Sequence, residues 1–470
     1  MPRADDGRHK TSAERSAAVK RTLAVVVLVA AALASCEGDW LRRGAAKRSG
    51  RSAVQRVAPA ADHHTHLYSS AAAAVYVQEP LPSVTLPPDL DRVLRDYERF
   101  QSAGDAAGMA SLFTEDGLFP GQGGWIRGRE AIRNLNFTSA NFRLRATAYS
   151  VEGSVGYIAG FIGRQGDTGV TDVARLVLAL RRGPDARWLI AARLGEGFRP
   201  PDTTPRTADR LVAELDAAGV RRAAVLSVAF WFGDPSVKVA DEYAKVRAEN
   251  DWVAGQVARY PDRLVGFCSF NPLRDYALEE LERCAKSPSL KGIKLHFDNS
   301  GVDLLNPQHA ERVRRIFRAA NDRRLPVIVH LWVRGGKYGR QYSEAFLSRI
   351  IPEAPDVPVQ IAHMAASGPN YHADDAMEVY ANAAAAGDPR MKNVYVDVAG
   401  MVTGSSKPES LELVARRLRQ FGLGHVLFGS DYSPGGSNES PKTAWESFLR
   451  LPLGEDEFRR IAENVAPYMR

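Results

Sequence analysis

The chain has 470 residues, of which 45% are apolar and 25% charged, an ordinary composition for a soluble folded enzyme. This length allows a sizeable core without disulfide support. The formal net charge of +7 suggests nucleic-acid or membrane binding, but residues 1–56 hold 12 basic and 5 acidic residues and so carry the whole excess. Because the remainder is balanced, nucleic acid is not an expected partner.

The N-terminus predicts export. Residues 22–35 form an apolar run that follows Lys20 and Arg21 and is too short to span a bilayer comfortably. A basic segment before a short apolar run is typical of a secretory signal peptide. The run ends in Leu33-Ala34-Ser35-Cys36.

This ending resembles the lipobox of bacterial lipoproteins, in which the cysteine becomes the lipidated first residue. An ordinary signal peptide with an incidental Cys36 is the alternative. We predict a lipoprotein signal peptide over 1–36 and a flexible linker over 37–60. The protein is then an exported lipoprotein on the bacterial periplasmic or outer face, attached to the membrane only through a lipid on Cys36.

Three cysteines are too few for a disulfide framework. Cys268 and Cys284 fall in a predicted buried strand and the helix after it. We therefore interpret both as small buried hydrophobic residues.

From residue 201 onward, short apolar runs that end in polar residues alternate with amphipathic helical patterns such as 207–219 and 306–324. The predicted strands are 56–67, 221–230, 263–270, 291–297, 326–332, 357–364, 393–400 and 425–432. Eight strands in β/α alternation predict an α/β fold, a TIM (β/α)₈ barrel over 61–84 and 201–470.

An inserted α+β domain is predicted over 85–200, after the first barrel strand. Residues 87–116 read as two helices and 129–140 as a third, followed by four longer alternating strands with short turns.

The insert resembles the SnoaL-like, nuclear-transport-factor-two-like cone. The matching features are the LFTEDGLF turn at 112–119, GWIRGREAI at 124–132, and a last strand that contains Trp188. Because the first βα loop of a barrel lies on its catalytic face, we hypothesise that the insert covers the site or mediates a homodimer.

The motif Asp62-His63-His64-Thr65-His66 is the strongest local signal. His64 and His66 alternate on a strand and share one face, so both imidazoles can reach one cation. Histidine is a preferred ligand of Zn²⁺ and similar metals. A solvent-facing polar cluster would explain this motif equally well.

Three further residues, His330, His363 and Asp431, each close an apolar run at the predicted C-terminal end of a barrel strand. Catalytic groups of such barrels collect at that rim. A lone histidine there is usually structural, but three such endings together with His64 and His66 favour a site. Because strand eight neighbours strand one, Asp431 can contact the metal and accept a proton from water.

The set resembles the amidohydrolase-related family, in its aminocarboxymuconate semialdehyde decarboxylase-like branch. The matching motifs are DAAGVRRAAVLS, NDWVAGQVARYPDRLVGFCSFNP, KGIKLH, IVHLW, IAHMA and FGSDYS. The resemblance implies one divalent metal ion, zinc with manganese as the alternative, bound by His64, His66, His330 and Asp431. It also implies that His363 polarises the substrate or moves a proton.

Four residues are candidates for substrate binding. Lys294 and His296 share a face of strand four and would bind an anionic group, although a structural salt bridge explains Lys294 equally well. Arg334 follows strand five and either grips a carboxylate or faces solvent. Trp231 follows strand two and either walls an aromatic pocket or packs the rim.

The sequence therefore predicts a metal-dependent hydrolase of a small, carboxylated organic substrate. Metal-activated water would attack an ester, lactone or amide carbonyl, with Asp431 as the base. The alternatives are a metal-dependent non-oxidative decarboxylase of an aromatic or unsaturated acid, a metal-free lactonase, and a lipoprotein that binds its ligand without turnover.

Overall fold

The structure is a computed structural model that describes residues 57–77, 81–121, 124–137, 140–166, 169–197, 201–335, 338–367, 373–433 and 438–470. The predicted signal peptide with Cys36 and most of the predicted linker lie outside these residues. Within the described ranges, no helix combines the length and the apolar character needed to cross a membrane.

Fourteen strands occur in the described part of the chain. They are β1 Ala61–His66, β2 Phe113–Gly121, β3 Gly124–Arg127, β4 Phe142–Glu152, β5 Val155–Gly166, β6 Gly169–Arg182, β7 Trp188–Gly197, β8 Arg222–Leu226, β9 Leu264–Ser269, β10 Leu290–His296, β11 Val327–His330, β12 Val359–Ile361, β13 Val394–Asp397 and β14 Val426–Leu427.

Fourteen α-helices occur in the same part of the chain. They are α1 Ser70–Ala73, α2 Pro88–Ala103, α3 Ala106–Ser111, α4 Arg129–Arg133, α5 Ala208–Ala218, α6 Glu242–Ala258, α7 Ala277–Ala285, α8 Phe297–Ser300, α9 Pro307–Asp322, α10 Arg340–Ala345, α11 Asp374–Ala385, α12 Pro408–Phe421, α13 Pro441–Phe448 and α14 Glu455–Glu463.

The first unit is a parallel barrel. Its strands follow the order β1-β8-β9-β10-β11-β12-β13-β14, and each predicted apolar run overlaps one of them. His63 N donates to Phe428 O (2.9 Å) and His66 N donates to Tyr432 O (2.9 Å), so β1 meets the segment around β14. The predicted TIM barrel is confirmed, and so are the helices predicted over 207–219 and 306–324.

The barrel interior contains an apolar cluster. The short strands are rich in valine, isoleucine and leucine because side chains of a parallel barrel are buried on both faces. The C-terminal turn Pro467–Met469 packs into this interior. The buried members of the cluster are Ala61, Ala224, Leu226, Val265, Phe267, Ile328, Leu427, Ala466 and Met469.

The second compact unit runs from Ala73 to Thr204 and contains the 85–200 range. Its six-stranded sheet has the order β3-β2-β7-β6-β5-β4, with α2 packed on the sheet's buried face through Leu90, Leu94 and Tyr97.

The turn predicted at 112–119 is wrong, because most of it lies in β2, and the predicted 87–116 helices end at Ser111. Buried Phe113 pairs with Ile190 and Leu118 pairs with Arg127. An irregularity between Phe113 and Leu118 absorbs the turn-like residues.

The interpretation of Cys268 and Cys284 as separate buried residues is also wrong. The two form a disulfide between β9 and α7, with their Cα atoms 6.3 Å apart. The two cysteines are 16 residues apart in the sequence, and two isolated cysteines do not predict this proximity.

Candidate metal centre

Three predicted ligands converge at the C-terminal rim of the barrel. Asp431 Oδ1 lies 3.4 Å from His64 Nε2 and 3.2 Å from His66 Nε2. Their ligand atoms all lie within 4.8 Å of one another. Two imidazoles and one carboxylate oxygen are a donor set that suits Zn²⁺ and similar divalent ions.

The hydrogen bonds around this group fix which ring nitrogens carry protons. His64 Nδ1 lies 3.0 Å from the Asp397 carboxylate, and His66 Nδ1 lies 3.0 Å from Leu226 O. Because these partners only accept, both Nδ1 atoms donate and both Nε2 atoms of the neutral rings carry lone pairs. Three acceptor atoms therefore face one another, and a bound cation would relieve their mutual repulsion.

His330 lies beside this group but not within it. Its ring stacks on His296 with centroids 3.9 Å apart, as expected because the two residues pair across β10 and β11. His330 Nδ1 is buried and has no hydrogen-bond partner among the described residues. Burial lowers the pKa of His330 well below its ordinary value, so the ring is neutral and retains a lone pair for a metal.

A second cluster joins His64, His363 and Asp397. Asp397 Oδ1 accepts from His363 N (2.9 Å) and Ala399 N (3.1 Å), and Oδ2 accepts from Gln360 Nε2 (2.6 Å) as well as from His64. Burial raises the pKa of Asp397, but the interactions of the carboxylate with His64 and His363 outweigh it and hold that pKa well below its ordinary value. This carboxylate is fully engaged by hydrogen bonds, so it positions histidines rather than offering a vacant ligand.

The two predicted catalytic residues have strained backbones. Asp431 has φ 59° and His363 has φ 55°, both in the left-handed region that costs about 1–2 kcal/mol for most residues. Asn438 Nδ2 donates to both Asp431 O (2.6 Å) and Asp431 Oδ2 (2.9 Å).

The segment after β14 approaches β1 closely at Gly429. A Cβ at Gly429 would lie 2.8 Å from His64 Cβ, so this approach requires glycine there.

The tautomer of His363 defines what it can do. Its Nδ1 lies 2.7 Å from Ala399 O, which only accepts, so Nδ1 carries the proton. In the neutral ring Nε2 is then an acceptor, able to take up a proton and pass it on. This arrangement fits proton transfer better than polarisation of a substrate by a neutral ring.

Lys294 and His296 both border the site. Lys294 Nζ is buried 3.3 Å from His64 Nε2. Burial lowers the pKa of Lys294 to about 8, although the charges of Asp397 and Asp431 raise it. His296 Nδ1 accepts from Asn299 N (3.3 Å), which leaves Nε2–H as the donor of a neutral ring. Burial lowers the pKa of His296 well below its ordinary value.

These residues line a cavity of about 360 Å³. The cavity separates the four predicted substrate-binding residues into three that line it and one that does not. Its lining includes Lys294, His296 and Trp231, together with the predicted ligands and His363. Arg334 is not in the lining; its side chain is 78% exposed and pairs with Asp298 (3.0 Å).

Sequence reasoning missed several residues of the site. Asp397 ends the apolar run VYVD, the same strand-end signal that identified His330, and could have been found by it. Tyr68 lines the cavity and its ring lies 5.3 Å from that of Trp231. Gln360 and Asn438 act through hydrogen bonds to Asp397 and Asp431, and no local sequence pattern marks them.

Comparison with protein families agrees with this geometry. A family model described as amidohydrolase matches residues 234–466, which include strands β9–β14. This match supports an enzyme of the amidohydrolase superfamily. As an enzyme of that superfamily, the chain is a hydrolase or a decarboxylase, and its relatives use a divalent metal ion.

Solved structures with a similar fold include 5-carboxyvanillate decarboxylase from Sphingomonas paucimobilis, with 20% identity, 53% of this chain and 79% of that chain covered, and a TM-score of 0.38. Another is 2,6-dihydroxybenzoate decarboxylase from Rhizobium, with 18% identity, 54% and 84% covered, and a TM-score of 0.34. A protein of unknown function from Mycobacterium tuberculosis has 27% identity over 24% of this chain and 75% of its own, with a TM-score of 0.19. No curated protein sequence matches the chain.

Proposed function

We propose that this amidohydrolase-superfamily enzyme hydrolyses an ester, lactone or amide carbonyl of a small carboxylated organic molecule. The observation that carries the proposal is the convergence of His64 Nε2, His66 Nε2 and Asp431 Oδ1 in one cavity. The proposed ion is one divalent metal, zinc with manganese as the alternative, held by these residues with His330. When bound, such a cation supplies a Lewis acid that polarises an oxygen of the substrate or of water.

The chain's own residues supply the proton transfers. Asp431 Oδ1 would accept the proton of the attacking water, while the Asn438 amide holds Oδ2 and orients the carboxylate. The proton then passes to the leaving group. His363 Nε2 is the second group able to hold a proton at the cavity wall.

Substrate selection follows from the cavity lining. Lys294 supplies a buried cation that would pair with a substrate carboxylate, and His296 Nε2–H would donate to a substrate oxygen. The rings of Tyr68 and Trp231 supply an apolar wall. Hydrogen bonds from these groups also favour substrates that carry an anionic group over neutral analogues.

Non-oxidative decarboxylation is the second candidate, and the observation that favours it is the buried Lys294 cation beside the ligand group. In this reaction His363 or Asp431 first takes up a proton from solvent. The bond between the ring or alkene carbon and the carboxylate carbon then breaks, CO₂ leaves, and the protonated residue delivers its proton to the ring or alkene carbon. Membership of the aminocarboxymuconate semialdehyde decarboxylase-like branch would accommodate either reaction.

The test is a product assay on the metal-loaded chain. Carboxylated esters, lactones and amides are offered beside hydroxylated aromatic acids, and released acid and released CO₂ are measured separately. Acid release without CO₂ supports hydrolysis, and CO₂ release supports decarboxylation. Turnover of neither set by a chain that binds metal would favour a ligand-binding lipoprotein.

We also propose that the protein is exported and anchored by a lipid on Cys36. The Cys268–Cys284 disulfide supports an oxidising compartment, where such bonds persist. Mass spectrometry of the mature N-terminus tests the proposal, since an unlipidated, uncleaved chain would contradict it. A SnoaL-like identity for the second unit and a homodimer are further proposals. Sedimentation of the chain with and without 85–200 tests the homodimer.

A further inference from the structure

The C-terminal turn places a tyrosine inside the barrel. The Tyr468 ring contacts Phe267 and His63 edge-on, with centroids 5.0 and 6.2 Å apart. Ala466 N donates to His63 Nε2 (3.2 Å), which ties the same segment to β1. Burial raises the pKa of Tyr468 well above its ordinary value, so the phenol keeps its proton.

The hydroxyl of Tyr468 reaches a buried glutamine, and the direction of this hydrogen bond is determined. Gln360 Nε2 lies 2.6 Å from Asp397 Oδ2 and 3.2 Å from His63 O. Both partners only accept, so the amide nitrogen faces them and Gln360 Oε1 faces Tyr468. Tyr468 therefore donates to Gln360 Oε1.

Asp397 Oδ2 connects the Tyr468–Gln360 hydrogen bond to the metal centre. Asp397 Oδ2 accepts from Gln360 and from His64 Nδ1, and Asp397 Oδ1 accepts from His363 N. His64 and Gln360 are both buried, so neither hydrogen bond is replaced readily by water. Partners of this kind fix the ring orientation and tautomer of a ligating histidine and tune its basicity.

We propose that Tyr468 and Gln360 are positioning residues of the metal centre. The Tyr468 hydroxyl fixes the Gln360 amide, which orients Asp397 and, through it, the lone pair of His64 Nε2. The C-terminal turn thereby sets the geometry of His64, a predicted metal ligand on β1. This inference rests on the metal centre of the proposed function.

The test compares Tyr468→Phe, Gln360→Met and the double variant in the full chain. Tyr468→Phe removes one oxygen and keeps the ring. The measurements are the Zn²⁺ dissociation constant and the visible absorption bands of the Co²⁺-loaded protein. Tyr395→Phe is the matched control, because Tyr395 packs against the same interior cluster.

We expect Gln360→Met to weaken Zn²⁺ binding about tenfold and Tyr468→Phe to weaken it less. Loss of a residue that hydrogen-bonds directly to a metal ligand typically lowers metal affinity about 10–100-fold, and Gln360 acts one hydrogen bond further away. Both should shift the Co²⁺ bands, while Tyr395→Phe leaves affinity and bands unchanged. Because Tyr468 acts through Gln360, the double variant should bind no more weakly than Gln360→Met.

Wild-type affinity and bands in Tyr468→Phe would overturn the inference while leaving the metal centre intact. Additive losses in the double variant would also overturn it, since they require independent actions. A wild-type chain that binds neither ion would overturn the metal centre and this inference together. If Gln360→Met does not fold, the comparison of Tyr468→Phe with Tyr395→Phe decides alone.

Discussion

Asp431 Oδ1 lies 3.2 Å from His66 Nε2, and both atoms are acceptors when the His66 ring is neutral. The contact exists because the segment after β14 returns to β1, where Asp431 N donates to His64 O (2.8 Å). Closure of the barrel therefore creates the site. A cation or a shared proton between the two atoms would stabilise this arrangement.

Asp431→Asn should lower kcat about 10²–10⁴-fold, because the amide cannot accept the proton of the attacking water. The fold should persist, since asparagine tolerates the φ of 59° at this position. Steady-state kinetics and the thermal midpoint measure the two effects. Asp388→Asn, which alters a carboxylate paired with Arg390, is the control and should retain wild-type kcat. Equal activity in the two variants would remove Asp431 from the mechanism.

Trp231→Ala and Arg334→Ala should differ in their effects on substrate binding. Trp231 lines the cavity, so its loss should raise KM with a smaller change in kcat. Arg334 pairs with Asp298 outside that lining, so its loss should leave kcat/KM within about twofold of wild type. Once a substrate is identified, a large effect of Arg334→Ala with none of Trp231→Ala would contradict this assignment.

Reduction of the Cys268–Cys284 disulfide should destabilise the chain. The bridge closes a loop with a sequence separation of 16 residues, for which loop entropy predicts a loss of about 3 kcal/mol in the free energy of unfolding. Urea unfolding with and without reductant measures it. A Cys268→Ser/Cys284→Ser double variant should show the lower stability and no dependence on reductant. Identical wild-type curves in both conditions would show that the thiols are not bridged.

The buried Glu249 carboxyl should make stability depend on pH. Burial raises its pKa above the ordinary value of 4.5, against hydrogen bonds from Ser69. Because the pKa of Glu249 is higher in the folded chain than in the unfolded chain, the protonated carboxyl favours folding. This stabilisation is fully present below about pH 4.5 and is lost as the pH rises through the pKa of Glu249 in the folded chain. The unfolding free energy of Glu249→Gln, relative to wild type, should therefore increase between about pH 4 and about pH 8.

Urea unfolding at several pH values measures this trend, with Glu344→Gln on the exposed face of α10 as the control. The stability difference between Glu344→Gln and wild type should stay constant over the same range. A constant difference for Glu249→Gln as well would show that the Glu249 pKa is not raised.

The barrel was predictable because strands β8 to β14 lie in short apolar runs with a polar residue at or soon after the C-terminal end of each run. Asp431 follows from that rule, and His64 and His66 follow from their alternation on the first strand, which neighbours the last. The rule also covers Asp397, whose carboxylate instead serves two histidines. Whether a strand-end acid binds a metal or a histidine depends on neighbours that only the closed barrel supplies.

Other features depend on contacts between distant segments and were not predictable. Tyr468 reaches Gln360 because the C-terminal turn enters the barrel interior. Cys268 in β9 and Cys284 in α7 come to a Cα–Cα distance of 6.3 Å only in the folded chain. In the second unit, β2 depends on pairing with β3 and β7, which stabilises residues whose local sequence favours a turn.

Metal analysis by mass spectrometry tests the central claim most directly. The chain is purified after supply of Zn²⁺ or Mn²⁺, beside a His64→Asn/His66→Asn variant. His309→Asn is the control, because His309 Nδ1 accepts from Asp303 N (3.1 Å) and does not line the cavity. We predict about one divalent ion per chain in the wild type and in the control, and none in the double variant. A wild type that retains no metal, or a double variant that retains it fully, would contradict the account.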